Sequence, residues 1–535
     1  MAPATASGMS DPILTRMVAE DKVPWYKKPN LRVMYLFLFF CCMGVEMTSG
    51  FDSQLINTLQ FTGSFLNYFG GGWISPITGK KGIEGSLLGI INASYQLGSI
   101  IGVPIAPWFA QRYGRRMSIF TGSVIMVIGA LIQGFAQHVG MYIVARLLLG
   151  IGIVFAIISG ASMIGELAYP KERPVLTSLF NASYFIGAIV ASAIAIATVA
   201  IPSDWAWRVP SLLQICPSLL QIATVWFLPE SPRWLISRDR EDEAFAILTK
   251  YHAEGDATSL IVHAEMAQIK STIELERESS KQSWSEILKA SGMRRRAIIS
   301  VFLGLFTQMS GNTLLSYYSN LLFELMNFTS DYAKTRINLA DKCWGLMNAV
   351  VFALIAVRFP RRKMFMTSAA CMLGIFIAIT VCFERLRTAK DAGTTNWSAS
   401  YAALFFFFAY NPAYNLGNNA LTYTFLVELW PYTHRSRGIG VQQIFGKAGG
   451  FFSTYVNPLA IDNIGWKFFA IYCGWITFEF LFIYFMYPET YGRTLEELTF
   501  LFEPKELADK AVAAVEKEIH ADENAAQGQE VEKKA

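Results

Sequence analysis

Long apolar stretches recur along the whole sequence and most constrain its fold. About twelve of them run for roughly twenty residues each, long enough to cross the hydrocarbon core of a bilayer. They fall near 33–53, 84–108, 118–136, 140–165, 175–200, 209–228, 297–325, 340–357, 363–384, 401–428, 438–461 and 465–487. Because only helices satisfy their own backbone hydrogen bonds at this length in lipid, the sequence predicts an all-α membrane protein.

Basic residues are concentrated in alternate connections between these spans, and the positive-inside rule places such connections in the cytoplasm. The residues concerned are Lys27, Lys28, Arg32, Arg112, Arg115, Arg116, Lys171, Arg173, Arg358, Arg361, Arg362, Lys363, Arg435 and Arg437. Lys80, Lys81, Lys334 and Arg336 fall in outer connections and are minor exceptions. We therefore expect a multi-pass protein of the plasma membrane with both termini in the cytoplasm. No cleavable signal peptide is evident, because the first thirty residues are polar.

Two glycosylation sequons, at Asn327 and Asn396, fall in predicted outer connections. They are predicted modification sites but support the orientation only weakly, since two further sequons lie inside spans. The seven cysteines and five histidines show no metal-ligand spacing, and no phosphate-binding loop is present. We predict no metal, no cofactor, no nucleic-acid partner and no enzymatic activity. A functional monomer in the lipid bilayer is expected.

Three motifs occur twice in the same order, about 260 residues apart. Pro229-Glu230-Ser231-Pro232-Arg233 follows the sixth span, and Pro488-Glu489-Thr490-Tyr491-Gly492-Arg493 follows the last one. The other pairs are Arg115-Arg116 with Arg361-Arg362, and Glu166 before Arg173 with Glu428 before Arg435. This repeat predicts two pseudo-symmetric six-helix bundles, 33–228 and 297–487, of the kind that rock around a central site. The polar segment 229–296 is predicted to be a cytoplasmic linker of amphipathic helices, with cytoplasmic tails at 1–32 and 488–535.

These motifs resemble the sugar porter family of the major facilitator superfamily. The resemblance extends to Gly50-Phe51-Asp52 in the first span, Arg146 in the fourth, and Gln308-Met309-Ser310-Gly311-Asn312 in the seventh. The pattern is most similar to that of fungal lactose and cellodextrin permeases. Some positions depart from it: Gln111 and Val357 replace two loop aspartates, Pro360 replaces a glycine, and Asn181 and Thr307 replace glutamines. The missing aspartates put the family's usual loop salt bridges in doubt.

Asp52 is the leading candidate for proton coupling, because a carboxylate inside a span is costly and usually faces a cavity or a partner. The resemblance implies that Arg146 is that partner. A static ion pair that fixes the first span against the fourth is the alternative. Glu46, six residues earlier in the same span, is the rival proton site.

A sugar offers hydroxyl groups and an apolar ring face, so amide and aromatic side chains should bind it. Gln308 and Asn312 are four residues apart and share a helix face, with Thr313 and Tyr317 beyond them. Further candidates are Gln96, Asn181, Asn348, Asn415, Asn419 and Tyr423. Hydrogen bonding between helices is the competing interpretation. The cluster of asparagines around Pro412 and Gly417 also predicts a break in the tenth span.

The charged residues at the cytoplasmic face are predicted to form a gating network that exists only when the inner side is closed. They are Arg115, Arg116, Glu166, Arg173, Glu230, Arg233, Arg361, Glu428, Arg435, Glu489 and Arg493. Solvated loop charges are the alternative interpretation. Together these features predict a proton-coupled sugar importer for a disaccharide such as lactose or cellobiose, or for a hexose. A metabolite exporter on the same fold and a non-transporting sugar sensor are the rivals.

Overall fold

The computed structural model describes residues 23–74, 82–280, 289, 291–356, 359–431, 434–491 and 502. All twelve predicted spans coincide with helices. We label them α1 Pro29–Leu59, α2 Gly85–Tyr113, α3 Arg115–Gly134, α4 Val139–Leu167, α5 Arg173–Thr198, α6 Trp205–Phe227, α7 Ser291–Tyr317, α8 Asp331–Ala356, α9 Arg361–Asp391, α10 397–429, α11 Arg435–Ile464 and α12 Lys467–Met486. The prediction of an all-α membrane protein is confirmed.

Within the described ranges, nine of the twelve helices are long and apolar enough to cross a membrane by length and composition. The other three are α8, α10 and α11, which carry polar groups along their length. Asp341 and Lys342 lie in α8, asparagines cluster in α10, and Lys447 lies in α11. Polar groups at membrane depth require a cavity or a protein partner. These three helices are therefore expected to face the interior of the protein.

The helices pack as two halves. In the first, α1 lies against α5 and α2 lies against α4; in the second, α7 lies against α11 and α9 lies against α10 and α12. The most extensive contacts between the halves are those of α2 with α11 and of α5 with α8. This pairing has the pseudo-symmetry that the sequence repeat predicts, with α2 and α5 of one half matched by α8 and α11 of the other. The space between the halves is lined by α1, α2, α7, α10 and α11.

Two helices that line this space are broken. In α7 the break falls at Gly311, whose φ of 100° is in the left-handed region that favours glycine. A Cβ atom there would also lie 2.2 Å from Cζ of Phe376, so a side chain has no room. In α10 a π-helical segment, Asn415–Asn419, follows Pro412. The predicted break in the tenth span is confirmed, whereas the break in α7 was not predicted.

Three shorter helices connect the halves: Pro232–Ser237, Glu241–His252 and Leu260–Ser280. They dock on the first half through buried polar contacts. His252 lies 2.5 Å from Glu265 and 3.1 Å from the carbonyl oxygen of Leu167, at the end of α4. Glu254 accepts hydrogen bonds from two backbone N–H groups at the start of α1, those of Asn30 and Leu31. The linker is thus held against the ends of α1 and α4.

Candidate transport site

A buried ion pair joins α1 to α4. Nη1 of Arg146 donates to Oδ1 of Asp52 over 2.8 Å, and both side chains are almost completely buried. The guanidinium also lies 5.0 Å from the ring centroid of Tyr95, a cation–π contact. Oδ2 of Asp52 accepts no hydrogen bond from the described residues. Such a pair compensates the desolvation of both charges only while both partners remain.

A small cavity with mixed polar and apolar walls adjoins this ion pair. Besides Asp52 and Tyr95, its polar walls are Thr48 of α1 and Gln214 and Ser218 of α6, and its apolar walls are Met126, Leu149 and Ile153. The side-chain polar atoms of Gln214 and Ser218 are buried and make no hydrogen bond with the described residues. Because apolar side chains form most of this lining, the surroundings of Asp52 beyond its ion pair are mainly apolar. This cavity was not predicted, because its walls come from helices as far as about 160 residues apart in the chain.

Three of the predicted sugar-binding residues meet between the halves. Gln96 of α2 and Gln308 of α7 both lie beside Gly450 of α11. A Cβ atom built on this glycine would lie 3.3 Å from Cδ of Gln96 and 3.4 Å from Oε1 of Gln308. Tyr317 lies within hydrogen-bonding reach of Gln96 and of Ser53, one residue from Asp52. The amides of α2 and α7 are thereby connected to the buried ion pair through Tyr317.

The remaining predicted contacts on α7 and α8 bond mainly within their own helices. Thr313 donates to the carbonyl oxygen of Gln308 over 2.7 Å, and Asn312 accepts from Ser316 over 3.3 Å. Asn348 donates to the carbonyl oxygen of Trp344 over 2.8 Å. Their amide and hydroxyl groups still have unused donor or acceptor capacity for a ligand.

The other predicted sugar contacts are on α5 and α10. Asn181 is half-buried on α5. In the π-helical segment, Nδ2 of Asn419 donates to Oδ1 of Asn415 over 2.9 Å. Tyr423 is 45% exposed and accepts a hydrogen bond from Gln443 of α11 over 2.7 Å. Tyr423 thus links α10 to α11.

Glu46 faces a cation across the central space. Its carboxylate on α1 interacts electrostatically with Lys447 on α11 and lies near Tyr423 on α10. Glu46 and Lys447 are both half-buried. This attraction acts between the halves, since α1 and α11 belong to different bundles. The sequence identified Lys447 as polar but did not predict its partner.

The two halves are in contact at their outer ends. Asn57 of α1 accepts from Ser319 over 2.8 Å and donates to Asn338 of α8 over 3.4 Å. Gln60 donates to the carbonyl oxygen of Tyr317 over 2.8 Å, and its own carbonyl accepts from Asn320 over 2.7 Å. These four hydrogen bonds close the central space on this side. Nothing in the sequence predicted them, because their partners are about 260 to 280 residues apart.

Aromatic and charged groups reinforce this outer closure. The rings of Phe61 and Phe323 stack with centroids 6.3 Å apart. Lys334, which the sequence placed in an outer loop, is buried at the start of α8, where its ammonium donates to Asn320 over 2.9 Å and to Glu324 over 2.8 Å. The predicted glycosylation site Asn327 lies just beyond this cluster, in the α7–α8 connection, and Asn396 caps the start of α10.

The first copy of the repeated motif binds the start of α3. Oε1 of Glu230 accepts from the backbone N–H of Arg115 over 3.1 Å, and Oε2 accepts from that of Arg116 over 3.3 Å. The side chain of Arg115 pairs with Glu166 over 3.0 Å. Burial raises the pKa of Glu230, while backbone N–H donors, first that of Ser231, oppose the shift. A carboxylate at a helix N-terminus also compensates the helix dipole.

The second copy repeats this geometry at the start of α9. Glu489 accepts from the backbone N–H of Arg361 over 2.9 Å, and the Arg361 side chain pairs with Glu428 over 3.3 Å. Thr490 adds a hydrogen bond to Glu428 over 2.6 Å. These contacts all lie within one half, so each motif ties together the helix ends on one side of its own bundle.

The other members of the predicted gating network occupy the same end. Arg173 begins α5 and lies 3.7 Å from Glu265 of the linker. Arg233 lies in the helix Pro232–Ser237, and Arg435 begins α11. Arg493 and Val357 lie outside the described residues. At the position of the missing first aspartate, the carbonyl oxygen of Gln111 accepts from Trp234 over 2.8 Å and from Arg238 over 2.9 Å. Hydrogen bonds from the linker to a backbone carbonyl therefore hold the α2–α3 connection in place.

Two six-helix halves around a central polar space, with matched motifs at the same end of each half, define a membrane transporter of the major facilitator type. The solved structures agree on the fold. The partially occluded, inward-open xylose transporter XylE from E. coli superposes with a TM-score of 0.71, at 20% identity over 86% of this chain and 99% of its own.

Sequence comparison then gives the family. The model for "Sugar (and other) transporter" matches residues 37–502, so the chain belongs to this sugar transporter family, as predicted. Among its relatives, the high-affinity glucose transporter of Kluyveromyces lactis is 26% identical over 89% of this chain and 86% of its own length. The arabinose-proton symporter of Bacillus subtilis is 26% identical over 89% and 98%. The MFS-type transporter oryC of Aspergillus oryzae is 26% identical over 91% and 88%.

Proposed function

We propose that this chain imports a sugar together with a proton, by alternating access of the central space. The observation that carries the proposal is the continuity between Gln96, Gln308 and Tyr317 on one side and the buried pair of Asp52 and Arg146 on the other. Amide groups suit sugar hydroxyls, and a carboxylate that alternates between a cation and a proton suits coupling.

Coupling follows from the electrostatics of this ion pair. While Asp52 is ionised, it holds Arg146 and fixes α1 against α4. Protonation of Asp52 weakens the attraction, so the two helices become free to shift only when a proton is present. Tyr317, within reach of Ser53, relays the occupation of the sugar site to the same carboxylate. The relatives that are glucose transporters or arabinose-proton symporters support both parts of the proposal.

The substrate is a neutral sugar of the hexose or disaccharide class, lactose and cellobiose being the leading candidates from the motif pattern. The protein works as a monomer in the plasma membrane, with both termini in the cytoplasm and sequons Asn327 and Asn396 outside. It is not an enzyme, and sugar, proton and lipid are its partners.

Uptake of labelled glucose, xylose, arabinose, lactose and cellobiose in a transport-deficient host tests the proposal, with and without a proton uncoupler. We expect saturable uptake of at least one sugar and loss of accumulation with the uncoupler. Absence of saturable uptake of any sugar would falsify the import proposal and favour an exporter, which inside-out vesicles would reveal. Uptake that the uncoupler leaves unchanged would mean facilitated diffusion.

Two variants test the coupling residue. Asp52→Asn is expected to abolish accumulation against a gradient while sugar binding and exchange remain. Asp391→Asn, at an exposed carboxylate in a surface pair at the end of α9, is the matched control and should accumulate sugar normally. If Asp52→Asn accumulates as well as the control, the coupling role passes to Glu46, and Glu46→Gln becomes the decisive variant.

A further inference from the structure

A second carboxyl group lies deep in the membrane, in the half opposite to Asp52. Glu479 of α12 is completely buried. Its Oε2 is hydrogen-bonded to Oγ of Ser310, and its Oε1 accepts from Nδ2 of Asn418 over 3.2 Å. Ser310 lies at the break of α7, next to Gly311, and Asn418 lies in the π-helical segment of α10. One side chain of an unbroken helix thus bonds to both broken helices.

The partners of Glu479 that the structure describes are all uncharged. Among the described residues, no lysine, arginine or histidine forms an ion pair with it, and the titratable groups that face it are Tyr410 and Tyr414 of α10 and Tyr487 after α12. These phenols are neutral. An ionised carboxylate without a partner is very costly in such a place, whereas a protonated one needs only ordinary hydrogen bonds.

The hydrogen-bond count at Ser310 leads to the same protonation state. The hydroxyl has one proton and two oxygen neighbours, Glu479 and the carbonyl oxygen of Phe306 at 2.7 Å. The carbonyl can only accept, so the Ser310 proton belongs to that bond and Oγ must accept from Glu479. A protonated Glu479 supplies this donor, and its other oxygen still accepts from Asn418. An ionised Glu479 would leave one of these oxygen–oxygen contacts without a proton.

Further bonds from α10 hold the same break. The hydroxyl of Tyr410 donates to the carbonyl oxygen of Ser310 over 3.0 Å, and that of Tyr414 donates to the carbonyl oxygen of Thr307 over 2.7 Å. Hydroxyl groups of α10 therefore satisfy the backbone oxygens that the break of α7 leaves free, and Glu479 of α12 holds the side chain of Ser310. The breaks are adjacent to Gln308 and Asn415, two of the predicted sugar contacts.

We propose that Glu479 is a positioning residue that works as a neutral acid. It keeps its proton throughout the transport cycle and, by donating to Ser310 and accepting from Asn418, it fixes the breaks of α7 and α10 relative to one another. It differs from Asp52, which must release its proton in each cycle. The inference rests on the proposed function only for its transport readout, since the protonation state is measurable in the purified protein.

Glu479→Gln is the central test, because the amide donates and accepts with the same geometry but cannot ionise. We expect uptake rate, KM and the pH profile within about twofold of the wild type. Glu479→Leu cannot bond to either break, and the loss of two buried hydrogen bonds should lower the maximal uptake rate about tenfold or more. Phe478→Leu, at the neighbouring half-exposed position, is the control and should transport normally.

Infrared spectroscopy of the purified full-length protein tests the protonation state directly. The wild type should show the carbonyl stretch of a protonated buried carboxyl group, which Glu479→Gln removes and Ser310→Ala shifts. Ser310→Ala also covers the case in which Glu479→Leu does not fold, and we expect it to slow uptake with KM for the sugar altered. Loss of accumulation in Glu479→Gln, or unchanged uptake in Glu479→Leu, overturns the proposal. So does a wild-type spectrum without the band, even if no sugar is transported.

Discussion

The contact between α1 and α5 provides the sharpest prediction of the structure. It is made by two glycines, Gly50 and Gly187, each of which faces a backbone carbonyl of the other helix. A Cβ atom on Gly187 would lie 1.8 Å from the carbonyl oxygen of Met47, and one on Gly50 would lie 1.9 Å from that of Tyr184. Small residues allow this approach between membrane helices. Because the obstacles are backbone atoms, no rotamer change can relieve the clash.

The size of the effect follows from these distances. A carbon and a carbonyl oxygen in contact need about 3.3 Å, so Gly187→Ala must push α5 away from α1 by about 1.5 Å. Overpacking of this kind costs about 1–3 kcal/mol, and alanine returns about 0.5–1 kcal/mol through its higher helix propensity. The same atom would lie 2.9 Å from the backbone nitrogen of Phe51, so Asp52 moves with its helix. We therefore expect lower stability together with weakened proton coupling.

Thermal unfolding of the purified protein in detergent, paired with uptake in cells, measures both effects. Gly374→Ala is the matched control, since this glycine lies inside α9 with nothing within 4 Å of its Cβ position. Its midpoint should stay the same or rise, whereas that of Gly187→Ala should fall and accumulation should be lost. If the two variants prove equally stable, the close approach of α1 and α5 is wrong.

Three further predictions concern the two ends of the molecule. Glu230→Ala leaves backbone N–H groups at the start of α3 without an acceptor, and the thermal midpoint should fall by the equivalent of about 1–2 kcal/mol; an unchanged midpoint would contradict the capping role. Asn57→Ala removes cross-half hydrogen bonds, so a Phe61→Cys reporter, buried in the closed state, should react faster with an impermeant maleimide; equal rates would mean that other contacts close the outer side. Burial, followed by two neighbouring arginines, lowers the pKa of His434 from 6.5, so the folded state binds fewer protons and stability should fall as the pH drops below about 6.5; His434→Gln should flatten this dependence.

The sequence predicted the helices well, because apolar length and charge alternation are properties of single segments. It was least accurate where buried charges interrupt the apolar pattern. Helix α8 begins at Asp331, nine residues before the predicted span at 340, because Lys334 made this turn resemble an outer loop. In the structure that lysine is neutralised by Glu324 and bonded to Asn320, so its charge has partners inside the protein.

The site was predicted only as a set of residue types. Asp52, Gln308 and Tyr317 were selected from the sequence, but their proximity depends on contacts between helices that no local pattern contains. The hydrogen bonds of Asn57 that close the outer side were not predicted for the same reason. Glu479 is different, since a glutamate inside the last apolar run is visible in the sequence, and the rule that intramembrane carboxyl groups are functional applies to it.

The positions of the two buried carboxyl groups suggest how the halves divide the work. The repeated motifs make one end of each half alike, down to a glutamate that caps α3 in one and α9 in the other. The interiors are not alike. In the first half Asp52 is paired with Arg146, whereas in the second half Glu479 is bonded to the neutral groups of Ser310 and Asn418. In the mechanism we propose, proton coupling belongs to the first half, and the broken helices that Glu479 fixes supply most of the sugar contacts, to which the first half adds Gln96.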